Sequence, residues 1–285
     1  WSSDVCSSDL VAKAEYTAAA AFSQHERKGG EKMRRVIRNT YSGSVCEREV
    51  YDISELTRNI KAAKPPKPRF QNEEEREQHK LGISRRRHAR LVNANFSPTS
   101  LYSTLTFSNE YEVHTFDEAK RIRENFIRRL KRACPEARIM AYLGRGKATN
   151  RIHMHMLSEG VPEELIRRQW YLGSVVRIEH LKEHCCYDGV DHGQDYTGLA
   201  NYLFDHWTPE QGGHRWKPTK NLRQPEREKP KEIKRQYSEQ KPPRAPKGYV
   251  LVESKATRYG YLYFKYVRIP PKRTRKKAEH EKMRS

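Results

Sequence analysis

Two histidines one residue apart, and a tyrosine with an acid and an imidazole close behind it, are the residue types and spacings here that suit chemistry. Residues 151–157 read RIHMHML. In an extended strand successive side chains alternate faces. His153 and His155 then project side by side, their Cα atoms about 7 Å apart, while Ile152, Met154 and Met156 point into whatever core backs the sheet. Two imidazoles on one sheet face can grip one divalent ion, which is half of a site. With 12 His in 285 residues, chance supplies an H-x-H about 0.5 times in such a chain, so the weight rests on the alternation around the pair and on the residues downstream of it. Residues 196–207 read YTGLANYLFDHW. At helical spacing Leu199, Tyr202, Asp205 and His206 share a face. A tyrosine beside acid and imidazole groups suits phosphodiester transfer through a protein–DNA ester. A phenol, with its pKa of about 10, is a poor nucleophile at neutral pH. A metal held by the histidines would polarise the scissile phosphate and stabilise the charge that develops. The plain alternative is a core tyrosine on an amphipathic helix.

The elements that must position these groups can be read from pattern. Residues 33–52 carry β-branched and aromatic residues around a Tyr41-Ser42-Gly43 turn signal, which predicts a short hairpin. A Pro-Lys segment at 64–68 breaks the chain. Residues 72–94 predict a strongly basic helix with acids early and arginines late. Residues 101–107 alternate as a strand. Thr115 with Glu118 three residues on forms a capping box, and apolar residues at helical spacing carry the following helix from 116 to 133. Residues 138–143 predict a strand, and 144–150 a basic turn from which the histidine strand pairs back. A second helix runs from about 161 to 170, a short strand follows over 173–178, and 187–195 is a polar loop leading into the tyrosine helix. Residues 209–247 are rich in Pro, Lys and Glu and read as a mobile loop-like insertion. Strands close the pattern at 248–253 and 259–269. This order predicts an α+β fold, an antiparallel central sheet covered by helices with a basic helical N-terminal extension.

Composition narrows the partners. Against 36 Asp+Glu stand 57 Lys+Arg, a formal net charge of +21. Such an excess favours a polyanion, and nucleic acid is the usual one. No apolar run approaches a membrane span, and the start has no charged region followed by an apolar one. Five cysteines without C-x-x-C spacing fit a reducing cytoplasm, and His184-Cys185-Cys186 with His192 is poor zinc spacing. Residues 1–10 (WSSDVCSSDL) resemble the translated read-through of a sequencing adapter, so they are expected to be an artefact that replaces the natural start. The chain then divides into a basic N-terminal region at 11–94, a main domain at 95–269 and a basic disordered tail at 270–285.

Cations cluster at two places. Arg85, Arg86 and Arg90 lie on the basic helix, and Arg145, Lys147 and Arg151 flank the histidine strand. Each set reads either as a phosphate contact, which holds a nucleic-acid backbone without choosing sequence, or as a solvated charged face.

The order of a short strand at 101–107, His-hydrophobic-His at 153–155 and a tyrosine on a later helix resembles the three motifs of the HUH endonuclease superfamily. Closer still, it is similar to rolling-circle replication initiator (Rep) proteins of bacterial plasmids, phages and integrative elements. The stretches SRRRHARLVNANF, LANYL, RWKPTKNL and YGYLYFKYVR share in this likeness, which covers about residues 70–268. The resemblance implies a ferredoxin-like or RRM-like sheet, His153 and His155 as metal ligands, Mg²⁺ or Mn²⁺ as cofactor, and Tyr202 as nucleophile. The implied partners are single-stranded or origin DNA, a host helicase and a polymerase, and the implied place of action is the bacterial cytoplasm. The product would be a 5′-phosphotyrosine and a free 3′-OH. A relaxase or single-tyrosine transposase shares this chemistry, and a non-catalytic nucleic-acid-binding protein shares the charge. Family members commonly have Lys three residues after the tyrosine, where this chain has Asp205. Many also have a carboxylate on the strand before the histidines, where this chain reads Met140-Ala141-Tyr142. The third ligand therefore stays open among Glu159, Asp205 and His206. Tyr196 is an alternative nucleophile, although six residues of helix rotate it about 240° from Tyr202.

Overall fold

The computed structural model describes residues 33–56, 59–62, 70–146, 149–173, 176–187, 189–257 and 260–269. The adapter-like start, the Pro-Lys segment at 64–68, Lys147 and the basic tail lie outside these residues. Strand β1 (Met33–Ser42) returns as β2 (Val45–Ser54) through a two-residue loop at Gly43 and Ser44. Gly43 has φ +58, and a Cβ there would lie 2.1 Å from the Asn93 carbonyl oxygen. The turn type and the close approach of the chain therefore both demand glycine.

Helix α1 (Glu73–Asn95) is capped by Asn72, whose side chain accepts from the Glu75 amide, and its first turn carries three acids. After β3 (Leu101–Thr106), Thr115 accepts from the Glu118 amide and opens α2 (Phe116–Ala133). Strands β4 (Arg138–Arg145) and β5 (Ile152–Glu159) form the histidine hairpin. Then come α3 (Glu163–Gln169), β6 (Val176–His180), the small ladder of β7 (Cys186–Tyr187) with β8 (Val190–Asp191), and α4 (Thr197–Asp205). Short strands β9 (Lys217–Pro218), β10 (Glu226–Arg227) and β11 (Lys231–Glu232) precede the closing pair β12 (Tyr249–Ala256) and β13 (Leu262–Arg268).

The fold is α+β, and its sheets are antiparallel. The expectation of one central sheet needs correction, because the described residues form two major sheets. One has the order β6-β3-β5-β4-β9 and carries the histidines. The other has the order β10-β1-β2-β13-β12, with β11 also on β1. It forms because Leu262 to Val267 of β13 pair with Val50 to Val45 of β2. The hairpin of the basic N-terminal region thus supplies two of that sheet's six strands. The sequence pattern shows each hairpin but not which hairpin pairs with which.

In the histidine sheet Leu105, Ile139, Leu143, Ile152, Met154 and Met156 face α2 and α3 and build the larger core. The opposite face, with Met140, Tyr142 and Leu157, is covered by α1 and α4 through Val92, Phe96, Ala200 and Leu203. Helix α1 also reaches the second sheet. Arg90 bonds Glu47 and Glu49 on β2, and Glu49 accepts two further bonds from Arg38 at 2.5 and 3.0 Å. Residues 209–247, expected as a loop-like insertion, do carry little regular structure, yet they are fastened to both sheets. Thr219 exchanges bonds with Ile139, the Arg223 amide donates to Asn95, and the Pro243 carbonyl accepts from Tyr266.

Candidate metal centre and tyrosine

The alternation of β5 places His153 and His155 on the face opposite the methionine core, with Nε2 atoms 3.1 Å apart. That face is not bare. Helix α4 roofs it, so His155 is buried and His153 half-buried.

Three anchors hold α4 in place. At its start, Asp195 accepts from the Thr197 amide at 3.0 Å and pairs with Lys265 of β13 at 2.5 Å, both side chains being nearly sealed from solvent. Burial pushes the Asp195 carboxyl up, but the Lys265 ammonium and the Thr197 bonds outweigh it and hold the carboxyl below its usual range. Asn93 of α1 accepts from the Tyr196 amide at 2.8 Å. At the other end the buried Gln211 donates to the carbonyls of Leu143 at 3.0 Å and His206 at 3.2 Å, tying the end of the helix to β4.

So fixed, α4 brings His206 to the histidine pair. The ligand atoms of His153, His155 and His206 all lie within 4.8 Å of one another. Among the three candidates for a third ligand, only His206 stands there. Glu159, at the far end of β5, is bound to Ser100. Asp205 is held bidentate by Arg85 at 2.6 and 2.7 Å.

The donor set fits a divalent ion on several counts. His206 Nδ1 faces the Tyr202 carbonyl at 2.8 Å. A carbonyl only accepts, so Nδ1 carries a proton and Nε2 is the ring nitrogen left to face an ion. Burial lowers the pKa of His153, and burial together with His153 and His206 pushes His155 down to about 2. Both are therefore neutral at pH 7, as metal ligands must be. An octahedral ion with bonds of about 2.1 Å sets adjacent donors about 3 Å apart, close to the observed separation of His153 and His155. Gly144 lines the cradle. A Cβ built on it would lie 2.9 Å from His206 Cδ2 and 3.3 Å from His153 Nε2.

Tyr202 stands beside this cluster. Its ring centroid is 4.2 Å from that of His206 and 5.9 Å from that of His155. The side chain is still 41% exposed, so substrate can reach it. Burial of the remainder raises the phenol above its ordinary pKa of 10.0. Tyr196, the alternative nucleophile, precedes α4, is buried, and donates its hydroxyl to the Lys182 carbonyl at 3.0 Å.

The cations expected to hold DNA divide. Arg85 reaches the end of α4 but is engaged with Asp205. Arg86 lies over the Tyr263 ring. Arg90 serves the second sheet. Arg145 donates to the Asn150 carbonyl, and Arg151 to Asn109 and the Phe107 carbonyl, so both shape the turn beside the site. A separate cleft of about 410 Å³, with Arg128, Lys131, Lys217 and Lys220 in its lining, contains none of the site residues.

Sequence reasoning missed Tyr102, Thr104, Gly144 and Gln211. Of these only Tyr102 and Thr104 had a signal, since strand alternation puts them on the face opposite Leu101 and Leu105, and the pairing of β3 with β5 sets Thr104 opposite His155. Among the described residues no helix is long and apolar enough to cross a membrane. Compared with known protein families, curated proteins and solved structures, the chain matches none.

Proposed function

We propose that this protein is a metal-dependent DNA-nicking and strand-transfer enzyme of the HUH endonuclease kind, which starts rolling-circle replication of a bacterial mobile element. The observation that carries this reading is the half-exposed phenol of Tyr202 packed against a cluster of three imidazoles. The Tyr202 oxygen attacks a phosphodiester of single-stranded origin DNA. The bond from phosphorus to O3′ breaks, the phenol proton is lost, and the departing O3′ takes up a proton. A 5′-phosphotyrosine and a free 3′-OH remain, the latter a primer for a host polymerase behind a helicase.

His153, His155 and His206 would hold the divalent ion, which supplies charge to the phosphate oxygens and makes the phenol easier to ionise. Three imidazoles without a carboxylate favour Mn²⁺ over Mg²⁺, which prefers oxygen donors. The Arg85–Asp205 pair fixes the last turn of α4, and with it the ring of Tyr202. The +21 charge draws DNA to the surface, and the reaction is assigned to the bacterial cytoplasm.

Incubating the protein with Mn²⁺ and a pool of single-stranded oligonucleotides, followed by mass spectrometry of the digested adduct, tests this. The expected nucleotide adduct lies on Tyr202 and is absent from Tyr202→Phe, which binds DNA as before. An adduct on another residue removes Tyr202 from the role. DNA binding with no adduct leaves the non-catalytic binder.

A further inference from the structure

We propose that Tyr102 and Thr104 of β3 set the tautomer of His155, and so control whether its Nε2 can face a divalent ion. The inference rests on reading the three imidazoles as a metal centre. Tyr102 Oη lies 2.8 Å and Thr104 Oγ1 3.1 Å from His155 Nδ1. The Tyr102 and His155 rings are stacked, with centroids 5.6 Å apart and planes 15° from parallel. The register of the strands enforces this arrangement, since Thr104 is the cross-strand partner of His155 and Tyr102 that of Leu157, two residues on.

His155 differs from the other two histidines in what its Nδ1 meets. His206 Nδ1 faces the Tyr202 carbonyl, and His153 Nδ1 faces the Arg151 carbonyl at the longer distance of 3.4 Å. Carbonyls only accept, so each of these rings carries its proton on Nδ1. A hydroxyl can donate or accept by turning, so His155 alone is free to adopt either tautomer.

The Nε2 atoms of His153 and His155 lie 3.1 Å apart, the spacing of adjacent donors on one ion. To face an ion, His155 Nε2 must be bare, so the ring proton must sit on Nδ1, where the Tyr102 and Thr104 hydroxyls accept it. The two hydroxyls thus hold the ring in the ligating tautomer and orientation.

The test is calorimetric titration of Mn²⁺ into the apo protein, the Tyr102→Phe and Thr104→Val variants and the double variant, with thermal melts as the check on folding. Losing an outer-shell partner of a ligating histidine costs about 10–100-fold in metal affinity, and the double variant is expected to lose that much. Thr104→Ser, which keeps the hydroxyl, is expected to bind as the parent does. With Zn²⁺ bound, ¹⁵N spectra of the histidine rings should show the His155 proton on Nδ1. A double variant that binds Mn²⁺ as tightly as the parent overturns the proposal, even if its melting temperature drops, because that is the mark of a merely structural role. If the double variant does not fold, the single variants read the same quantity. A parent protein that binds neither ion overturns the metal-centre reading itself, an outcome distinct from the first.

Discussion

Gly144→Ala separates the demands of the site from those of the fold. The added Cβ would lie 2.9 Å from His206 Cδ2 and 3.3 Å from His153 Nε2. Carbon atoms rest at about 3.5–4.0 Å, so the His206 ring must retreat by about 0.6 Å or swing away. For the fold this is cheap, because the ring sits at the end of a helix and Gly144 is outside the left-handed region. Exchanging glycine for alanine where the backbone tolerates it stabilises by about 0.4–1 kcal/mol through the unfolded chain. For the metal it is costly, since ligand distances tolerate only about 0.2 Å. Displacing a ligand should cost at least the roughly 100-fold upper range of outer-shell changes, which is about 2.8 kcal/mol at 1.4 per decade. Gly144→Ala should therefore bind Mn²⁺ at least about 100-fold more weakly while the apo protein melts no lower than the parent. Titration calorimetry and a thermal melt on the same sample read both quantities. Undiminished Mn²⁺ affinity would show that His206 is not a ligand.

Other perturbations test the supporting structure. Glu49→Gln leaves Arg38 buried beside a neutral partner and should cost about 3–5 kcal/mol in urea unfolding. Burial pushes the Glu49 carboxyl up, but Arg38 and Arg90 outweigh it and hold it at about 2. Its stabilisation is thus complete above the unfolded value of about 4.3 and is lost as pH falls through about 2. His88 is fully buried against Tyr142 and Trp216, and burial pushes it down to about 4. The unfolded chain binds that proton from about pH 6.5, so stability should fall between pH 6.5 and 4 by about 3 kcal/mol, at 1.36 per pH unit. A His88→Phe variant whose urea midpoint keeps the same pH slope would refute this. Arg90→Met should lower the melting temperature and leave the salt dependence of DNA binding unchanged, because its guanidinium serves Glu47 and Glu49. A reduced slope of log affinity against log salt would instead assign Arg90 to phosphate contact under the proposed DNA-binding function.

Local rules were legible in the chain and long-range placement was not. Asn72 and Thr115 cap their helices near the predicted starts, since a cap depends only on residues three apart. The facing of His153 and His155 follows from strand period alone. That His206 completes the cluster requires knowing how α4 crosses the sheet, and the Gln211 and Lys265 anchors that decide this come from distant segments. The same limit explains the arginines. Charge on a helix looks identical whether it meets phosphate or, like Arg90, meets Glu47 on a hairpin that no local pattern places beside it. Gly144 looked like the start of a turn because the imidazoles that exclude a side chain there belong to another strand and another helix.

The pairing of β2 with β13 shapes how the protein comes into being. During synthesis β2 leaves the ribosome roughly two hundred residues ahead of its partner, a wait of about ten to forty seconds at 5–20 residues per second. Through that interval β1 and β2 form a hairpin with an open rim, the sort of rim that recruits other chains. Glu47, Arg48 and Glu49 lie along that rim and later become the ion pairs and hydrogen bonds of the closed sheet. Charge that keeps nascent chains apart is thus the same charge that later locks the sheet to α1. Replacing these residues with apolar ones of equal size would trade soluble expression for a greasier interior.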